Sequence, residues 1–267
     1  GGNSTTAGGI AAQNIAQWNG VKWDSLTSGV NDGGFVLAIT KYKGEIYVGG
    51  TFGKIGGINA KGLAKWNGTN WQPFVNATAL GYGWVVNFYQ YNNELYVLGG
   101  FDSIAGMASH KIAKFNGTTW TAFPPLDTVV SGWNIASAAF YGGELYVGGN
   151  FDSQIAPNMK DIAKWDGTAW KPVLNGLTGL NTHVGAIEIF NAELYVGGYF
   201  QLAGGDPGNN IIKWNGSNWS QLGIGTNNQV MCLKVYNNKL YAAGAFTDAG
   251  GISGTTRVAV WDNNNWS

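Results

Sequence analysis

The side chains able to do chemistry in this chain of 267 residues are few: two histidines (His110, His183), one cysteine (Cys232), one arginine (Arg257) and five glutamates. Neither histidine has a second His, Cys or acidic residue at ligand spacing, so no zinc site is expected. No Asp-x-Asp-x-Asp-Gly loop is present for calcium, and the Gly-Gly pairs precede strands or turns where a phosphate cradle needs a helix. No metal, cofactor or catalytic residue is therefore assigned. Glu45, Glu94, Glu144 and Glu193 recur at one repeated position and read as a solvated structural feature. Glu188 stands apart from them. It occupies a position held elsewhere by Thr40, Tyr89, Ala139 and Lys234, and is expected to pair with Lys234 of the next repeat, because no second carboxylate offers the partner that hydrolysis requires. Cys232 excludes an internal disulfide, and within Val230-Met231-Cys232-Leu233 it is expected to be a small buried core residue.

Binding chemistry has more material. Charged residues are 11% of the chain against about 25% in an average domain, with Lys+Arg 15 balancing Asp+Glu 15, so a nucleic-acid partner is not expected. No apolar run reaches the roughly 20 residues of a membrane span, and membrane insertion is not expected. Aromatic residues reach 14%, with 13 tryptophans and 43 glycines, which points to many short strands and tight turns.

The elements that hold these residues follow from an internal repeat. Trp18-Asn19-Gly20 recurs as Trp66-Asn67-Gly68, Phe115-Asn116-Gly117, Trp165-Asp166-Gly167, Trp214-Asn215-Gly216 and Trp261-Asp262-Asn263, each followed by a second Trp (Trp23, Trp71, Trp120, Trp170, Trp219, Trp266). Between them recurs Glu45-Ile46-Tyr47-Val48, with counterparts at Glu94, Glu144, Glu193 and Lys239. Each period reads as four strands: an apolar run covered on both faces, a two-residue turn such as Lys43-Gly44 or Asn92-Asn93, the Leu-Tyr-Val strand, a loop of about ten residues, and a third strand that the Asn-Gly pair turns into a fourth. Four antiparallel strands per period describe a blade of an all-β β-propeller. A lone sheet of this kind leaves both faces wet, so blades must stack and bury the recurrent aromatics between them.

The expected layout is a single propeller domain over 1–267, with a half blade at 1–28 and blades at about 33–76, 82–125, 131–175, 182–223 and 228–267. Gly1-Gly2-Asn3 resembles the tail of a second strand, so the chain is expected to begin within a blade and to belong to a longer array. Five blades are complete, and six would require missing strands to be supplied.

The units Leu145-Tyr146-Val147-Gly148-Gly149-Asn150-Phe151 and Ile162-Ala163-Lys164-Trp165-Asp166-Gly167 resemble the tandem propeller repeats of large secreted Bacteroidota surface proteins. They are similar also to propellers of fungal cortical polarity markers. The resemblance covers the whole chain and implies a cell-surface or extracellular setting, with the type IX export route common in that family. The usual C-terminal sorting domain is not present, which fits a fragment.

Functional candidates are what varies against this frame. At the entrance to the first strand the blades carry Phe35, Trp84, Asn134, His183 and Gln229, with Trp133 beside Asn134. Trp84 and Trp133 are the tryptophans outside the repeat, near Tyr82, Asp32, Asp127 and Asn181. Aromatic faces stack on sugar C–H surfaces while amides bond hydroxyls, so these residues are expected to form a neutral glycan site on the loop face; the alternative is that both tryptophans plug the core between blades. The expected function is non-enzymatic recognition or adhesion, toward a glycan or another surface protein. An architectural module and a polysaccharide-acting enzyme using Glu188, Asp127 or His183 are the alternatives.

Overall fold

The computed structural model describes residues 1–74, 83–126, 132–152, 158–179, 181–203 and 206–267. Among these residues all regular structure is strand, organised as five antiparallel blades of the β-propeller class. The chain divides into two compact units, Gly1–Pro125 and Leu126–Ser267. The first holds the half blade (Ala16–Trp18, Trp23–Ser25), blade 1 (Val36–Tyr42, Glu45–Gly50, Leu63–Trp66, Trp71–Pro73) and blade 2 (Val85–Tyr91, Glu94–Gly99, Ile112–Phe115, Trp120–Ala122). The second holds blade 3 (Gly132–Tyr141, Glu144–Asp152, Lys160–Trp165, Trp170–Pro172), blade 4 (His183–Phe190, Glu193–Tyr199, Ile211–Trp214, Trp219–Gln221) and blade 5 (Val230–Tyr236, Lys239–Gly244, Val258–Trp261). Blade 5 completes its fourth strand through a bridge between Trp261 and Trp266, with Val260 and Ser267 exchanging both backbone hydrogen bonds.

The turn between first and second strands is as its residues require. Both central residues have positive φ in every blade, for example 48° and 61° at Asn92 and Asn93, and 59° and 84° at Gly142 and Gly143. That is the type I′ geometry whose twist matches the flanking strands, and asparagine and glycine tolerate it best. The Asn-Gly connection before the fourth strand is built differently from the expected two-residue turn. Asn67 Oδ1 accepts the N–H groups of Thr69 and Asn70 at 2.9 and 2.8 Å, and Asn116, Asp166, Asn215 and Asp262 repeat the arrangement. The side-chain oxygen is what closes this loop, so Asn and Asp interchange here. At Asp166 these donors hold the carboxyl well below its usual range.

Neighbouring blades lock through a glycine against a branched side chain. A Cβ added at Gly49 would meet Val85 Cγ1 of the next blade at 2.4 Å; at Gly148 it would meet Val184, and at Gly197 it would meet Val230, at 2.4 and 2.6 Å. The first strand of one blade thus seats its valine on bare backbone of the blade before it. Ring pairs across third and fourth strands fill the rest, with centroids 5.1 Å apart at Trp66 and Trp71 and 4.9 Å at Trp214 and Trp219. Polar atoms join the same seam: Trp71 Nε1 donates to the Leu26 carbonyl at 3.1 Å and Trp266 Nε1 to that of Leu222 at 2.9 Å. Glu188 does bind Lys234 of the next blade, at 3.0 Å.

Four further expectations need correction. The repeated glutamates are half-buried, not solvated: Glu45, Glu94, Glu144 and Glu193 hold Lys65, Lys114, Lys164 and Lys213 of the third strand at 2.9, 2.9, 2.8 and 2.7 Å. The second-to-third connection is a small β-ribbon where a loop was expected, as in Lys54–Ile55 with Ile58–Asn59, which pairs back onto the preceding connection through Val30 and Ile55. Cys232 is exposed, because a bulge between Val230 and Cys232 turns Val230 and Leu233 inward and leaves Met231 and Cys232 outside. First strands are not covered on both faces throughout, since Leu37, Ile39 and Met231 are exposed.

The aromatic at the end of each Leu-Tyr-Val segment, Phe52, Phe101, Phe151, Phe200 or Phe246, is buried to 2% exposure or less, and Phe101 has no exposed surface. Phe101→Ala is expected to cost about 3–5 kcal/mol in urea denaturation, and a loss under about 1 kcal/mol would show that the blade interior does not depend on it.

Candidate functional site

The variable positions at the strand entrances are set by a second glycine. In the sequence Gly-Gly-x-Phe, a Cβ on the second glycine would sit 1.9 Å from the Phe35 carbonyl oxygen at Gly50, 2.1 Å from Asn134 O at Gly149, 2.1 Å from His183 O at Gly198 and 2.0 Å from Gln229 O at Gly244. No side chain fits there. The close approach pins the entrance residue against the one after the glycine. The resulting pairs are Phe35 with Thr51, Trp84 with Gly100, Asn134 with Asn150, His183 with Tyr199 and Gln229 with Ala245. Sequence reasoning found the first member of each pair and missed the second. The signal was available, because x in Gly-Gly-x-Phe varies from Thr51 to Gly100, Asn150, Tyr199 and Ala245 while its neighbours repeat.

Three of the predicted residues come together in the second unit. Asn134, Ala136, Asn150, His183, Val184 and Gly185 line an open cleft of about 380 Å³. Gln229 joins it through His183, with Nε2 to Nε2 at 2.6 Å, and Tyr199 stacks on the imidazole at 6.1 Å between centroids and 24° between planes. His183 Nδ1 lies 3.4 Å from the Asn181 carbonyl. A neutral ring protonated at Nδ1 satisfies both contacts, donating to Asn181 and accepting from the Gln229 amide. Asn150 Nδ2 donates to the Thr182 carbonyl at 3.1 Å and so ties this side of the cleft to the residue before His183. Tyr199 is exposed and also borders a neighbouring cleft of about 480 Å³ with Gln201, Asn209, Asn227 and Asp248.

In the first unit, Phe35 lines a separate cleft of about 710 Å³ with Asn3, Gln13, Asn14 and Asn31. Trp84 is half-buried and its carbonyl accepts the Gly100 N–H at 2.9 Å. Asp32 is structural, accepting from the N–H groups of Gly34, Gly53 and Lys54. Tyr82, Asp127 and the Trp133 side chain lie outside the described residues. Among the described residues no group of three or more His, Cys, Asp or Glu is arranged to hold a metal ion.

Thr182, the residue before His183, bonds Asp161, which is buried with φ at 61°. Its carboxylate accepts the Phe151 N–H at 3.1 Å and the Thr182 hydroxyl. Asn14 and Asn210 hold the same place in their repeats, each accepting one backbone N–H and donating to a carbonyl of the next connection, Gly34 O at 2.7 Å and Thr226 O at 2.8 Å.

No protein-family model and no curated protein matches the chain. Among solved structures it is similar to the crystal structure of the computationally designed Ika8 protein, at 11% identity and a TM-score of 0.48, over 87% of this chain and 60% of that one. The chain therefore spans less than two thirds of that protein's length.

Burial pushes the Asp161 carboxyl up to about 7. The folded chain thus keeps a proton that the unfolded chain, with its ordinary value near about 4, releases. Stability from the neutral acid is fully present below about pH 4 and is lost as pH rises through 7. Asp161→Asn, which copies Asn14 and Asn210, is expected to remove this fall and to gain on the order of 3 kcal/mol at pH 8. Identical melting profiles of both proteins from pH 4 to 8 would refute the assignment.

Proposed function

We propose that the chain is a non-enzymatic recognition module that binds a neutral, polyhydroxylated ligand of the glycan class in the cleft formed by Asn134, Asn150, His183, Tyr199 and Gln229. The observation that supports this most is that Asn134, Asn150 and His183 line one cleft with no carboxylate or ammonium group among its described lining, with Tyr199 stacked on the imidazole and the Gln229 amide bonded to it. Such a surface offers stacking to sugar C–H faces and paired donors and acceptors to hydroxyls, and it gains nothing from net charge on the ligand. Loops and strand ends on a rigid scaffold are where propeller-type folds carry variable binding residues. The likeness of the Leu-Tyr-Val-Gly-Gly and Trp-Asn-Gly units to repeats of secreted Bacteroidota proteins supports a cell-surface setting.

A glycan array followed by calorimetric titration tests the binding reading. Tyr199→Ala and His183→Ala are expected to weaken a captured neutral oligosaccharide at least tenfold, while Val21→Ala on the exposed half-blade turn leaves it unchanged. Capture of no neutral glycan, or equal affinity in all three variants, would sink the proposal.

A further inference from the structure

A second cleft adjoins the first, and Tyr199 belongs to both. Its ring stacks on His183, which lines the cleft of about 380 Å³, and it also lines the cleft of about 480 Å³ formed by the connections of blades 4 and 5. The polar groups of this second cleft fall into two sets. Asn210 and Asn227 are spent on the frame. Asn210 accepts the Phe200 N–H and donates to the Thr226 carbonyl. Asn227 accepts the N–H groups of Thr247 and Asp248 at 2.9 and 3.1 Å and donates to the Thr247 hydroxyl at 2.9 Å. The other set keeps atoms that the frame does not use. Among the described residues, the Tyr199 hydroxyl and both ends of the Gln201 side-chain amide make no hydrogen bond. Asn209 spends only its Nδ2, on the Ile224 carbonyl at 3.0 Å, and Asp248 only its Oδ1, which accepts the Gly251 N–H at 2.9 Å and closes the ribbon turn. Three free oxygens therefore only accept (Gln201 Oε1, Asn209 Oδ1 and Asp248 Oδ2), while one amide nitrogen only donates. Apolar surface lies in the same cleft, where Tyr199 and Ile224 are 43% and 63% exposed. No lysine, arginine or histidine is among its described lining.

We infer that the second cleft is an adjoining subsite of the same binding surface: it holds a further sugar of an oligosaccharide whose chain passes the Tyr199 ring, and it selects against uronic acids there. This rests on the glycan reading of the His183 cleft and extends it from one sugar to a chain. A hexose supplies what the cleft lacks. Its hydroxyls donate to the free oxygens of Gln201, Asn209 and Asp248, and its C–H face meets Tyr199 and Ile224. A sugar carboxylate brings acceptors where acceptors are already in excess. It also brings a negative charge to Asp248, with no lining cation to offset the repulsion. The described lining of the His183 cleft holds no carboxylate, so this discrimination belongs to the second cleft.

The test titrates the neutral glycan captured on the array, as monosaccharide and as tetrasaccharide, together with the tetrasaccharide oxidised at C6 to its uronic acid form, read by NMR and calorimetry. The monosaccharide is expected to shift Asn134 and His183 without moving Gln201. The tetrasaccharide is expected to shift the Gln201 side-chain amide as well and to bind at least tenfold tighter. Gln201→Ala, which breaks no side-chain bond within the described protein, weakens the tetrasaccharide at least fivefold and the monosaccharide less than twofold. The oxidised tetrasaccharide binds at least tenfold more weakly than the neutral one. Asp248→Asn, whose Oδ1 can still close the turn, narrows that gap at least threefold, and so does raising the salt to about 0.5 M. Equal affinity for the two neutral lengths, a tetrasaccharide that leaves Gln201 unshifted, or a gap unchanged in Asp248→Asn would overturn the subsite and leave the His183 cleft standing as a sugar site. Capture of no neutral glycan would instead remove the glycan reading and the subsite with it.

Discussion

A four-stranded blade has two apolar faces and can cover neither by itself, so everything in this protein depends on how one blade seats against the next. The seat is a glycine. Gly49, Gly148 and Gly197 leave bare backbone on the second strand, and Val85, Val184 and Val230 of the following blade occupy the space a side chain would fill. At these three seams the Phe at the end of the Leu-Tyr-Val segment, and ring pairs of the third and fourth strands such as Trp66 with Trp71 and Trp214 with Trp219, are then buried beside the seat. The second glycine of the motif carries the same constraint in the other direction, within a blade. It lets the backbone of the first strand approach until its carbonyl lies where a Cβ would be, and so presents the entrance residue and its partner side by side at the end of the sheet.

Frame and site are therefore separate layers of one repeat. Residues that meet another blade repeat with little change, while the pair at the strand ends changes identity at every blade, from Phe35 and Thr51 to His183 and Tyr199. A ligand surface can be rewritten at those pairs without touching the seam. Asp161 shows the layers joined: its buried carboxyl lies under Thr182, one residue from the imidazole that forms the cleft, at a place where Asn14 and Asn210 do the same bridging without charge.

Much of the frame was legible because its signals are local. The recurrence of Trp-Asn-Gly at intervals of 47 to 50 residues, the turn residues that accept positive φ, and the lone Glu188 facing Lys234 one repeat on all rest on short-range chemistry or on direct comparison of repeats. What was not legible depended on side-chain direction. Glu45 and its counterparts look solvated in sequence, and become half-buried only because Lys65 and its counterparts, 20 residues on, sit beside them on the third strand. A bulge flips Cys232 outward, and a bulge has no signature in an apolar run. The Asn-Gly pair fits a two-residue turn as well as the side-chain-closed loop it forms. At the candidate site, His183, Asn134 and Gln229 were found from their variability, while Tyr199 and Asn150 were hidden inside a motif read as structural frame.

The central claim is that the changing pairs, and not the repeated aromatics, make the ligand surface. Side-chain amide and imidazole resonances report it directly in a two-dimensional NMR titration with neutral oligosaccharides. The account predicts that the Asn134, Asn150 and Gln229 side-chain amides and the His183 ring shift together and saturate at one concentration, while indole N–H signals of Trp66, Trp71, Trp214 and Trp219 stay in place. Shifts confined to the blade-frame indoles, or to Asn209 and Asn227 in the neighbouring cleft, would contradict it.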